Sequence, residues 1–132
     1  MTELVLDASA GIEMIARTVT GRQLAALIPA ATTLWVPDGL FDVEVLAVLR
    51  RWDLNAILSE SQIESSRMRL ANLRLRRATV VSLASRAWQL RANITFPDAC
   101  YVALAEALNC PLLTADQRLV AAPKLPISTL HL

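Results

Sequence analysis

Histidine is almost missing from this chain: the single copy, His131, is next to last among 132 residues. A Ser/His/Asp triad, a Cys/His nucleophile pair and a histidine-based zinc site therefore lack their parts. Glycine occurs three times, in no G-x-G-x-x-G or Walker pattern, so no glycine-rich loop cradles a phosphate. Cysteine occurs twice, and Cys100 and Cys110 read as reduced, buried small hydrophobes rather than a disulfide. Lysine occurs once, at Lys124, so nearly all positive charge is guanidinium, the form suited to bidentate phosphate contact. Long apolar runs are also absent. The longest uncharged stretch, Gln23 to Pro37, is broken by Pro29 and two threonines and falls short of the roughly 18 apolar residues a membrane span needs.

What remains is aliphatic. Hydrophobic residues make up 55% of the chain and aromatics only 5%, a mixture of Ala, Val, Leu and Ile that suits helices packed over a sheet buried on both faces. A chain of 132 residues forms one domain and one core without a metal or disulfide staple. The N-terminal residues show no basic segment and no signal-type apolar segment, which predicts a cytoplasmic protein. The net charge of +1 does not by itself favour nucleic acid, but its distribution is uneven. From Arg67 to Arg91 there are seven arginines and no acid, read either as a solvated face or as a phosphate-contacting segment that includes Arg74, Arg76 and Arg77.

Along the chain, Leu4-Val5-Leu6 reads as a strand that stops at Asp7, followed at once by helical sequence. Gly21 is the expected break before a second helix, Arg22 to Ile28, which Pro29 ends. Thr33 to Val36 is a second strand closed by the turn Pro37-Asp38-Gly39, and a helix follows from Leu40 to Trp52. Ser61-Gln62-Ile63-Glu64 has the form of a capping box opening a helix that ends near Arg74. Thr79 to Leu83 reads as a short strand or extended link, Ser85 to Arg91 as a helix, and Asn93 to Pro97 as the loop leading to a helix opened by Asp98. A short apolar strand precedes Asp116, Gln117 to Ala121 makes a helical turn, and Ile127 to Leu130 is the last strand. Helix-linked strands of this kind require a mostly parallel sheet, hence an α/β fold.

Four acids stand out by position. Asp7 and Asp116 each follow a strand, Asp98 opens a helix, and Glu44 lies one turn into a helix that follows a strand. In a parallel sheet all four converge at the strands' C-terminal edge. Like charges so placed raise one another's pKa, and a divalent cation resolves the conflict. An all-oxygen donor set selects a hard ion, Mg²⁺ or Mn²⁺, suited to phosphoryl chemistry with an activated water. Ser9 and Thr114 lie two residues from an acid, where their hydroxyls would orient a carboxylate; taken singly, each is also an ordinary helix-start serine or strand threonine.

These residues carry a resemblance. Val5-Leu6-Asp7-Ala8-Ser9, Phe41-Asp42-Val43-Glu44-Val45-Leu46, the run from Asp98 to Glu106, and Leu112-Leu113-Thr114-Ala115-Asp116-Gln117-Arg118-Leu119 are weak motifs singly and specific in this order and spacing. The chain resembles the PIN-domain endoribonucleases, and among them the VapC-like toxins of toxin-antitoxin pairs, over essentially its whole length. The resemblance implies a three-layer α/β/α fold and metal-dependent cleavage of RNA. It also implies that Asp7, Glu44, Asp98 and Asp116 bind the metal, with Thr114 at the hydroxyl position before the last acid. A homodimer and a cognate antitoxin that occludes the cleft follow from it too. One departure is Phe96-Pro97 before Asp98, where the family often carries tyrosine. Two other readings compete: a binding protein that keeps the fold without catalysis, and a phospho-receiver module. The latter lacks paired acids after its first strand, and its only lysine is in a proline-framed loop.

Overall fold

The computed structural model describes residues 2–132. Five parallel strands form one sheet in the order β3-β2-β1-β4-β5, with β1 at Thr2–Leu6, β2 at Thr32–Pro37, β3 at Arg76–Ala78, β4 at Leu112–Leu113 and β5 at Thr129–Leu130. The chain starts in the middle, moves outward through β2 to β3, then crosses back to β4. Right-handed crossovers therefore put the helices between β1 and β3 on one face and those between β3 and β4 on the other. The first group is α1 (Ala8–Ala16), α2 (Val19–Ala25), α3 (Leu40–Leu54) and α4 (Glu60–Asn72), with α1 packed against the other three. The second is α5 (Val80–Gln89) and α6 (Phe96–Leu108), which pack on each other, with α6 lying over β1, β2 and β4. A short α7 (Gln117–Val120) joins β4 to β5. The architecture is the expected three-layer α/β/α fold.

Burial follows from this layering. Leu4, Val5 and Leu6 of β1 and Leu112 and Leu113 of β4 are all buried, as strands covered on both faces must be, which is why they read as unbroken apolar runs. Helix α6 is buried through seven successive residues, Ala99 to Ala105, so it is the central helix of its layer.

Several local expectations change. Gly21 is no break: α2 begins at Val19, capped by the Thr18 hydroxyl, which accepts from the Gly21 N–H at 2.9 Å. Gly21 is there because a Cβ would come within 2.0 Å of the Glu13 carbonyl oxygen of α1. The capping box belongs to Ser59 and Gln62, two residues earlier than expected: the Gln62 N–H donates to Ser59 Oγ and the Ser59 N–H donates to Gln62 Oε1. The β-branched run at Thr79 to Val81 is not a strand. Thr79 caps α5 by accepting from the Ser82 N–H at 3.1 Å, and Arg76–Ala78 just before it forms the strand. Helix α6 starts two residues before Asp98, with Thr95 as its cap, and the last strand contracts to Thr129–Leu130. Gly39, with φ of +79°, serves the expected Pro37-Asp38-Gly39 turn. Cys100 and Cys110 are free thiols, the first buried.

Candidate functional site

In an open parallel sheet a crevice forms outside the strands' C-terminal ends where the chain reverses its winding direction. Here that point is between β1 and β4, the strands that Asp7 and Asp116 follow. The register pairs Leu6 with Leu113, and the ladder runs one residue further through the bond from the Asp7 N–H to the Leu113 carbonyl at 2.9 Å. Asp7 therefore stands beside Thr114. The Thr114 hydroxyl donates to Asp7 Oδ2 at 2.8 Å, and the Ser9 hydroxyl donates to the same oxygen at 2.6 Å.

These two hydroxyls also accept. Ser9 Oγ takes the Ala115 N–H at 3.0 Å and Thr114 Oγ1 takes the Asp116 N–H at 3.0 Å. Each hydroxyl has one proton, and both protons go to Asp7, so their mutual separation of 3.2 Å is a contact rather than a further bond. One carboxylate oxygen of Asp7 is thereby fixed, and the other has no hydrogen-bond partner among the described residues.

All four acids line a single cavity of about 470 Å³, together with Ser9, Arg51, Thr95 and Arg118. Each stands at or near a helix start: Asp7 and Asp116 are the caps of α1 and α7, Asp98 lies in the first turn of α6, and Glu44 lies just beyond that of α3. Helix N-termini carry partial positive charge, which favours anionic groups there. Asp116 Oδ1 accepts the Arg118 N–H at 3.0 Å, and Arg118 Nε lies 3.6 Å from the same oxygen with its side chain in solvent.

Burial is the largest influence on three of the four. It pushes the carboxyls of Asp7, Glu44 and Asp98 above the ordinary carboxylate range. The neighbouring acids add to the shift: Asp98 and Asp116 act on Asp7, Asp7 and Asp98 on Glu44, and Asp116 on Asp98. Hydroxyls oppose it, from Ser9 and Thr114 at Asp7 and from Tyr101 at Glu44.

Tyr101 was not legible as a site residue. It is fully buried in α6, yet its hydroxyl reaches over the end of β1 and donates to Glu44 Oε1 at 2.8 Å. An aromatic inside an apolar helix reads as core, and only its hydroxyl hints at a polar partner. Arg51 and Arg118 were missed too, because a lone arginine on a helix carries no sign of the cavity it borders.

The three arginines singled out from the sequence lie elsewhere. Arg77 forms a bidentate pair with Asp42, at 2.6 and 3.0 Å, and also reaches Asp38 at 3.1 Å, which ties the end of β3 to the start of α3. Asp42, a first-turn acid as expected, is held below its usual range chiefly by that guanidinium. Arg74 and Arg76 border a cleft of about 540 Å³ with Thr32, Thr33 and Leu34 where β2 begins, at the sheet edge opposite the acids.

The donor set fits a hard cation. Burial and mutual repulsion disfavour the ionised carboxyls, a positive ion would relieve both, and every donor is oxygen. Among the described residues no three His, Cys, Asp or Glu side chains already converge as a metal-binding group.

Fold and cavity together define a class: a doubly wound α/β domain with a crevice at its switch point that gathers four carboxylates. The chain belongs to the PIN domain family, whose model matches residues 4–125. It is 41% identical over 116 residues to Ribonuclease VapC9 of Mycobacterium tuberculosis, covering 88% of this chain and 87% of that one. It is 40% identical over 130 residues to Ribonuclease VapC1 of the same species, covering 96% and 95%. Among solved structures it is similar to VapBC2 from Rickettsia felis bound to a promoter DNA fragment, with a TM-score of 0.64 at 16% identity over 99% of each chain. A toxin-antitoxin complex from Klebsiella pneumoniae gives a TM-score of 0.63 at 16% identity, over 98% of this chain and 99% of that one.

Proposed function

We propose that this protein is an endoribonuclease toxin that hydrolyses RNA phosphodiester bonds at a Mg²⁺ or Mn²⁺ site formed by Asp7, Glu44, Asp98 and Asp116. The carrying observation is that four carboxylates from four separate elements line one cavity at the switch point. Relatives named VapC ribonucleases at 40–41% identity support the activity. Bound there, the cation supplies Lewis acidity toward a water and toward the phosphodiester oxygens.

The chain's own residues do the rest. Ser9 and Thr114 hold one oxygen of Asp7 and leave the other for the cavity. Tyr101 does the same for Glu44. Burial and the neighbouring acids raise the carboxyl pKa values of Glu44 and Asp98, so a bound cation would be needed to keep both ionised as ligands. Arg51 and Arg118 at the cavity border offset the repulsion an acidic crevice exerts on a phosphate chain. Any contact that Arg74 and Arg76 make with RNA is remote from the reacting bond.

In this reading the protein works in the cytoplasm as a homodimer and is neutralised by a cognate antitoxin. The toxin-antitoxin complexes among its structural neighbours support that partner. No helix among the described residues is long and apolar enough to cross a membrane. Mapping the 5′ ends of cellular RNA after brief expression tests the proposal. New ends at defined positions with the wild type, absent with Asp98→Asn, are expected; identical 5′-end maps for the two would overturn it.

A further inference from the structure

Beside the four-acid cavity lies a second one of about 600 Å³, within the roughly 300–1,000 Å³ of small-ligand sites. The two adjoin, because Thr95, Asp98, Asp116 and Arg118 line both. The second differs in chemistry. Besides those four it is lined by Arg91 and Asn93 and by apolar residues that include Ile94, Leu119 and Pro123. It offers guanidinium, an amide and apolar surface next to the proposed point of cleavage.

Arg91 is held there. Its guanidinium carbon lies 4.7 Å from the centroid of the Trp88 ring, and its Nη1 donates to the Trp88 carbonyl at 2.8 Å. Trp88 is itself braced by an edge-on contact with Phe96 at 6.5 Å between ring centroids. A tryptophan 59% exposed on a helix end has no core to fill. Here it fixes an arginine that has no carboxylate partner among the described residues. By contrast, Arg77 and Arg86 of the same arginine-rich segment are both bound to acids.

We propose that this second cavity is the subsite for the nucleotide adjoining the cleaved phosphodiester, with Arg91 as its phosphate contact and Trp88 as the residue that positions Arg91. The cavity takes an unpaired nucleotide: its base lies on the apolar wall within reach of the Asn93 amide, and its phosphate meets the guanidinium. Sequence recognition of RNA through splayed-out bases of single strands and loops has this form. The inference rests on the ribonuclease reading and adds to it a recognition pocket beside the cut, with its contact and positioning residues.

Anisotropy titration of a single-stranded ribo-oligonucleotide in EDTA, at several salt concentrations, tests the subsite apart from cleavage. Arg91→Gln should weaken binding several-fold and flatten the log–log salt slope by roughly 0.7, the share of one single-strand phosphate. Arg91→Lys should keep the slope. Trp88→Leu should keep the slope and still weaken binding, because the charge stays and its position is lost. In Mg²⁺, Arg91→Gln should raise KM more than it lowers kcat. No binding by the wild type, or wild-type affinity and slope in Arg91→Gln, would overturn the subsite. So would unchanged RNA affinity with weakened capture of the antitoxin, which would make the cavity a protein site. Arg91-dependent RNA binding by a wild type that cuts nothing would instead overturn the nuclease reading, and with it the placement beside a cut, while leaving Arg91 as an RNA phosphate contact.

Discussion

The Tyr101 hydroxyl donates to Glu44 Oε1 at 2.8 Å, joining the central helix of one layer to α3 of the other over the end of β1. Glu44 is thereby aimed from two sides, by its own helix and by a rigid buried aromatic. Tyr101→Phe should leave the fold intact and cost about 1 kcal/mol of stability. It should lower RNA cleavage on the order of 10-fold, as loss of a residue that orients a metal ligand does. A Mg²⁺ titration of the cleavage rate checks this, with the half-saturating concentration expected to rise.

Thr114 is buried and serves two partners, giving its proton to Asp7 and accepting from the Asp116 N–H. Thr114→Val keeps the shape, strands the Asp116 N–H and leaves Asp7 Oδ2 with the Ser9 hydroxyl alone. Its cost should be about 2 kcal/mol, whereas Thr114→Ser should lose well under half of that. Urea unfolding of the three proteins, compared at constant slope, measures the difference.

The close approach of α1 and α2 depends on Gly21, where a Cβ would meet the Glu13 carbonyl at 2.0 Å. Backbone cannot yield as a flexible side chain can. Gly21→Ala should therefore destabilise by about 3 kcal/mol, despite the better helix propensity of alanine. A thermal melt of the variant is the check, and an unchanged midpoint would show that the helices separate freely.

Arg86 of α5 and Glu106 of α6 form a bidentate pair at 2.6 and 3.0 Å, and its guanidinium holds the Glu106 carboxyl below its usual range. A depressed carboxyl contributes stability above its unfolded pKa and loses it as pH falls through the folded value. Arg86→Gln should thus lower the melting temperature slightly at pH 7, less in high salt, and not at all once the pH is well below the carboxylate range. Melts of both proteins from pH 7 down to pH 3 read this directly.

Much of the site was visible in the sequence because three of its acids end or precede apolar runs that could only be buried strands or helices. Asp7 after Leu4-Val5-Leu6 and Asp116 after Leu112-Leu113 could hardly lie anywhere but at the ends of β1 and β4. Glu44 stood out as an acid within an apolar helix segment. Local competition hid other features. Ser59 and Ser61 both begin a possible capping box, and spacing alone does not say which serine stops the helix. At Thr79-Val80-Val81, β-branched residues argue for a strand, and the cap that Thr79 provides wins because α5 buries Leu83 and Ala87. Tyr101, Arg51 and Arg118 were silent because their roles depend on which distant element they face. The arginine-rich segment divides for the same reason: Arg77 and Arg86 bind acids, whereas Arg91 borders a cavity.

The account stands on four carboxylates acting together through a divalent cation. The most direct measurement is cleavage of a defined RNA by the purified protein in EDTA, in Mg²⁺ and in Mn²⁺, alongside Asp98→Asn under the same conditions. Cutting by the wild type that needs the metal, with the variant reduced at least 100-fold and still folded, is the predicted result. Equal cutting by the two proteins, or undiminished cutting in EDTA, would contradict it.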